Sequence, residues 1–169
     1  MMRASITSRT VSVLIIAALG LIAGFVAQAH AADQGTTTGI AFLTAKGEVK
    51  NFKPDLVLWN GTFVGVSVTD SRKGPLHNSG WDCTGQAVRQ AGIVHSGGGF
   101  CLVTDPDGDT INLLWARTDV PGPPVGPGVV IKTKGTYLSG TGKYAGIQGY
   151  YTFSCATVCT ITSGEYKIP

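Results

Sequence analysis

The sequence predicts an all-β protein, an antiparallel β-barrel with little helix, and three observations carry that prediction. Short runs of alternating apolar and polar residues recur along the chain. Glycine and proline, 24 and 8 of them in 169 residues, separate these runs with turn chemistry. Helix-period patterns are almost absent. The length suits one domain. Hydrophobic residues at 43% against charged residues at 14% exclude both a charged disordered tail and a coiled coil.

Residues 1–31 read as an export signal. Arg3 and Arg9 form a positive start, and Val11 to Val26 form an apolar run broken only by Ser12, Gly20 and Gly24. Ala27-Gln28-Ala29 and Ala29-His30-Ala31 then supply small-residue cleavage patterns. An anchor helix would need about 20 apolar residues, more than this run offers. The expected domain is therefore 32–169, secreted or periplasmic, with no membrane span after processing. Removing Arg3 and Arg9 from the 13 basic residues leaves 11 against 10 acidic ones. So balanced a body makes no electrostatic case for nucleic acid or an anionic membrane.

Strand signals begin at Thr62 to Thr69, where Val64, Val66 and Val68 share one face. Thr110 to Ala116 places Ile111, Leu113 and Trp115 on a face opposite Asn112. Val129 to Ile131 and Tyr150 to Phe153 are β-branched or aromatic, as pleated surfaces prefer. Thr160 to Thr162 and Tyr166 to Ile168 read as the last strand region. Turns are expected at Asn60-Gly61, Lys73-Gly74-Pro75, Ser96 to Gly99 and Asp107-Gly108. Gly85 to Ala91 is the best helix candidate, short and bounded by glycine. Asp119 to Gly128 holds four prolines, cannot donate a regular ladder, and reads as an extended loop between two strands.

Cys83, Cys101, Cys155 and Cys159 are the only cysteines. In an oxidising compartment an even count reads as disulfides. Four cysteines allow three pairings. Cys83–Cys101 and Cys155–Cys159 are favoured because each brackets a short segment. Three residues separate Cys155 from Cys159 and no histidine is near, so neither zinc nor a redox pair is expected.

Other chemistry-bearing groups have simple structural readings. Asp105, Asp107 and Asp109 resemble the start of a calcium loop, but Thr110 and Ala116 stand where that loop needs Gly and Glu. Asp-Pro-Asp-Gly is also a sound turn, so a surface turn without an essential metal is expected, with weak calcium binding left open. His77 and His95 could act as bases with Asp70, Asp82 or Asp105 as partners, yet no triad spacing exists, and Ser96 beside His95 sits in a glycine-rich turn. Gly140-Thr141-Gly142-Lys143 lacks the Ser or Thr of a phosphate loop, and Tyr137 stands where that loop needs Gly. No helix pattern follows Gly140-x-Gly142-x-x-Ala145, so no dinucleotide site and no cofactor are expected. Asn60-Gly61-Thr62 is a formal glycosylation acceptor.

Ser139 to Phe153 runs Gly-Thr-Gly, an aromatic two residues on, a small residue, then further glycines opening a strand. This stretch resembles the signature of allene oxide cyclase-like and dirigent-like barrels. The Asp107-Gly108-Asp109 turn and the strand after it resemble exported bacterial members of that group. The resemblance implies a barrel whose apolar interior steers a reactive ligand; it transfers no catalytic residue. On the physics alone, Tyr144 can plug beneath the turn, and Gly149 can admit a close neighbour.

The leading functional expectation is binding of a small apolar or aromatic ligand inside the barrel. Val64, Val66, Val68, Ile111, Leu113 and Trp115 are expected to face inward, with Tyr151 and Phe153 lining or capping that interior. A cyclase or isomerase that shapes a hydrophobic substrate is the second reading. A structural or envelope-associated protein with a filled barrel is the third. The oligomeric state is open.

Overall fold

The computed structural model describes residues 33–126 and 128–169. The export signal read from residues 1–31 lies outside the described residues. The chain forms strands β1 (Asp33–Thr36), β2 (Gly39–Lys53), β3 (Leu56–Thr69), β4 (Ser79–Gln90) and β5 (Ile93–Thr104). They are followed by β6 (Thr110–Arg117), β7 (Ile131–Gly140), β8 (Gln148–Cys155) and β9 (Cys159–Ile168). A short 3-10 turn, Gly142–Tyr144, joins β7 to β8. Each of β2 to β9 pairs antiparallel with the next, and β9 returns to β2 through Gly39↔Ile161 and Ala41↔Cys159. The expected antiparallel all-β fold is therefore a closed ring of eight strands. β1 continues the line of β2 and pairs with β9 from Asp33↔Ile168 to Thr36↔Glu165.

The two ends of the ring differ. One end is packed solid. The β3–β4 loop folds Pro75 and Leu76 into it, and Leu76 has no exposed surface. Tyr144 and Ile147 from the glycine-rich β7–β8 connection and Ile168 from β9 complete the plug. Gly142 makes that connection possible: its φ is +50°, and a Cβ there would lie 1.8 Å from Asp109 Oδ1. At the other end β2 to β5 run past the β8–β9 turn. β2 leaves β9 after Ala41, and β5 leaves β6 beyond Gly98. These four long strands form an apron standing above the ring.

The apron overturns the expected face of β3. Val64, Val66 and Val68 are 50%, 52% and 44% exposed and stand on the outside. The inward set is Val57, Trp59, Phe63, Ser67 and Thr69. Two polar residues point inward because the loop over them satisfies both. Ser67 Oγ donates to the Leu76 carbonyl and accepts from Trp81 Nε1 at 2.8 Å. Thr69 Oγ1 donates to the Lys73 carbonyl at 3.1 Å, and its N–H donates to His77 Nδ1 at 3.3 Å. Fully partnered hydroxyls bury at little cost.

Several expected turns and a helix are strand instead. Gly85 to Ala91 falls largely in β4, Ser96 to Gly99 in β5 and Asn60-Gly61 in β3. The glycines there make room for neighbours: a Cβ at Gly61 would meet Trp59 Cζ2 at 2.3 Å, and one at Gly85 would meet Trp115 Cζ2 at 2.4 Å. Flat indoles lie over these bare backbone positions. Val129 and Val130 precede β7 rather than opening it.

Both favoured disulfides are present. Cys83 and Cys101 are direct register partners on β4 and β5, and Cys155 and Cys159 clamp the β8–β9 turn. Asp105 to Asp109 is the expected turn, closed by the Asp105 N–H to Asp109 carbonyl bond at 3.0 Å.

Candidate functional site

Inside the apron and the upper ring lies a cavity of about 480 Å³. Its floor is Trp81, Tyr151 and Phe153, mutually packed with ring centroids 4.9 to 5.7 Å apart. Its walls include Leu43 of β2, Val57, Trp59 and Phe63 of β3, and Trp115 of β6. Phe63 packs edge-on against Trp115 at 5.5 Å and tilts against Trp59 at 5.3 Å. Trp115 Nε1 donates to the Thr84 carbonyl at 3.3 Å, which fixes the indole plane. Such aromatic walls suit a flat apolar guest.

The proline-rich segment roofs one side. It reads as an extended loop in the sequence, and its described residues form no strand beyond one isolated bridge. Val94 N–H donates to the Gly122 carbonyl at 2.8 Å, and Gly122 N–H donates back at 3.0 Å. The segment thus occupies the edge of β5 that β6 vacates, and Pro124 and Val125 face the cavity. Arg117 holds it there. Nε and Nη2 donate to the two oxygens of Asp119 at 2.9 and 3.0 Å, and Nη1 donates to the Pro123 carbonyl at 3.1 Å. Burial acts to raise the Asp119 pKa, but the Arg117 hydrogen bonds, a backbone bond and the guanidinium charge hold it below the usual carboxylate value. The pair stays charged near neutrality.

Trp115, Tyr151 and Phe153 line the cavity. Ile111 and Leu113 share the inward face of β6 but sit deeper, in solid core. All four cysteines line the cavity as disulfides. Sequence reading missed Leu43, Val57, Trp59, Phe63, Trp81 and Arg117. Of the three β3 residues among these, only Phe63 lies in the run read as strand, on the face opposite the valines.

Neither His77 nor His95 lines the cavity. His77 is bound to Thr69 at the plugged end, Asp70 accepts a bond from Thr38 at 2.7 Å, and Asp82 is exposed. Asp105 is buried in its turn, where Oδ1 accepts from the N–H groups of Asp107 and Asp109 at 2.9 and 3.0 Å. Lys143 Nζ lies against the carboxylates of both Asp105 and Asp107. Lys143 thus brings one positive charge to the two carboxylates it touches.

The ionisable side chains lining the cavity, among the described residues, are Arg89, Arg117 and Tyr151. Arginine does not deprotonate at working pH. Burial, with a lesser effect of Tyr137, pushes the Tyr151 phenol well above its usual value. These side chains offer binding surface rather than a general base. Comparison with protein-family models, curated proteins and solved structures finds no match.

Proposed function

We propose that this protein is an exported binding protein that holds a small, flat, apolar or aromatic molecule in the aromatic cavity. One observation carries this reading: a ring packed solid at one end keeps about 480 Å³ open at the other, within the range of small-molecule sites. Gln86 and Arg89 stand among the lining residues and can meet a polar end of the guest while its apolar body lies against Trp59, Phe63 and Trp115. The absence of a base among the lining side chains favours binding over acid–base catalysis. Export to an oxidising compartment is supported by the residue 1–31 pattern and by two disulfides. No helix among the described residues is long and apolar enough to cross a membrane.

Native mass spectrometry of protein purified from its own compartment tests this reading. An apolar organic molecule should accompany the folded protein and leave on denaturation. Protein that is bare and takes up no aromatic probe would overturn it.

A further inference from the structure

β2 is 15 residues long, yet β9 covers it only from Gly39 to Ala41. From Phe42 to Phe52 its outer edge has no strand against it among the described residues. A long free edge is a template for another strand. Apolar side chains accompany it: Phe42 and Phe52 are 56% and 55% exposed. We propose that this edge is the interface for a second copy of the same chain, paired antiparallel about a two-fold axis at Gly47.

The charge pattern selects that register. Two-fold pairing that keeps the outer faces of both sheets continuous sets even-numbered residues opposite even-numbered ones. The register that uses most of the regular free edge, which runs to the irregularity after Asn51, centres on Gly47. It sets Lys46 of each copy opposite Glu48 of the other. On β3 the register partners of Lys46 and Glu48 are Thr62 and Asn60, so neither charge has a counter-ion there. Centring on Lys46 or on Glu48 opposes like charges at the axis. Centring on Val49 pairs Glu48 with Lys50 but leaves part of the edge uncovered. Lys50 already lies over its own Phe52 ring, 5.3 Å from the centroid. Like charges thus exclude the registers centred on Lys46 and Glu48, and edge coverage favours Gly47 over Val49. This interface is independent of what the cavity binds.

Sedimentation velocity over a concentration series tests the proposal, using the disulfide-intact protein and variants at these exposed positions. Wild type should dimerise. Lys46→Glu or Glu48→Lys should each weaken the dimer at least about tenfold, because two attractive pairs become two repulsive ones. The double variant K46E/E48K should recover it. A monomeric wild type, a double variant that fails to recover, or a dimer broken by Lys50→Glu but not by Lys46→Glu would overturn the proposal. Unchanged melting temperatures confirm that the variants fold.

Discussion

Tyr137 sits in the core with its hydroxyl buried and without a partner among the described residues. Burial is the main reason that its pKa lies far above the usual value, with Tyr166 and Tyr144 adding to it. A lone buried hydroxyl costs free energy that a phenyl ring does not. Tyr137→Phe should therefore raise stability by about 1 kcal/mol in denaturant unfolding; a loss of that size would show that the hydroxyl is satisfied. Asp105 sets a second expectation at this scale. Burial acts to raise its pKa, but Lys143, Tyr144 and the Asp107 N–H outweigh it and hold the folded value below the usual one. A lowered folded pKa stabilises above the unfolded value of about 3.9, and the gain is lost as pH falls through the folded value. The melting temperature should be flat from neutral pH to about 5 and fall below about 4. Asp105→Asn should lower it at neutral pH and shallow the acid limb, leaving the part due to Asp119. An acid limb of unchanged slope would contradict the assignment. Residue types alone made this turn legible, because Asp-Pro-Asp-Gly has few other uses. They did not reveal Lys143, which arrives from another connection.

Among the elements, β6 was legible in both extent and face, since Ile111, Leu113 and Trp115 form the bulkier apolar set, with Asn112 on the opposite face. β3 was legible only from Thr62 to Thr69, its first half being hidden by the turn-like Asn60-Gly61, and its face was not legible. Its valines form the more regular apolar set, yet the loop that plugs the ring supplies partners for Ser67 and Thr69 and draws the other set inward. β5 was hidden because Gly97 to Gly99 look like a turn until the Arg117 side chain over Gly97 and the close β4 and β6 backbones at Gly99 and Gly98 are known. β2 gave no signal, for the part beyond Leu43 is exposed on both faces and lacks a core-facing stripe. The proline-rich connection read correctly as extended, but its role depends on Arg117, whose side chain is only 4% exposed. Arg117→Met keeps much of the packing and removes the donors to Asp119 and Pro123. It should cost about 3 kcal/mol, the low end for breaking a buried pair. Amide exchange should rise first at Val94 and Gly122, whose mutual bonds the segment holds. Slow exchange at both positions in the variant would show that proline stiffness alone keeps the roof in place.

At the scale of the whole molecule, alternation and turn spacing announced an antiparallel sheet but could not announce how it closes. Closure rests on a short contact between β9 and β2, the last strand and an early one, which no local pattern encodes. The cavity is further from the sequence still. It exists because four strands outrun the ring, two disulfides brace its wall, and a loop bridges the gap left by β6. The aromatic residues that line it come from β3, β4, β6 and β8, and only those on β6 and β8 were placed inward from sequence.

The central claim is that this space binds a guest rather than being a gap in the packing. Ala87 lines the cavity from β4, so Ala87→Phe should fill space without removing a contact. Titration with 1-anilinonaphthalene-8-sulfonate, read by its own fluorescence and by quenching of tryptophan, tests the claim most directly. Wild type should saturate at one probe per chain, and Ala87→Phe should bind at least about tenfold more weakly, a difference of 1.4 kcal/mol, at an unchanged melting temperature. Unsaturable binding, or equal affinity in the two proteins, would contradict it.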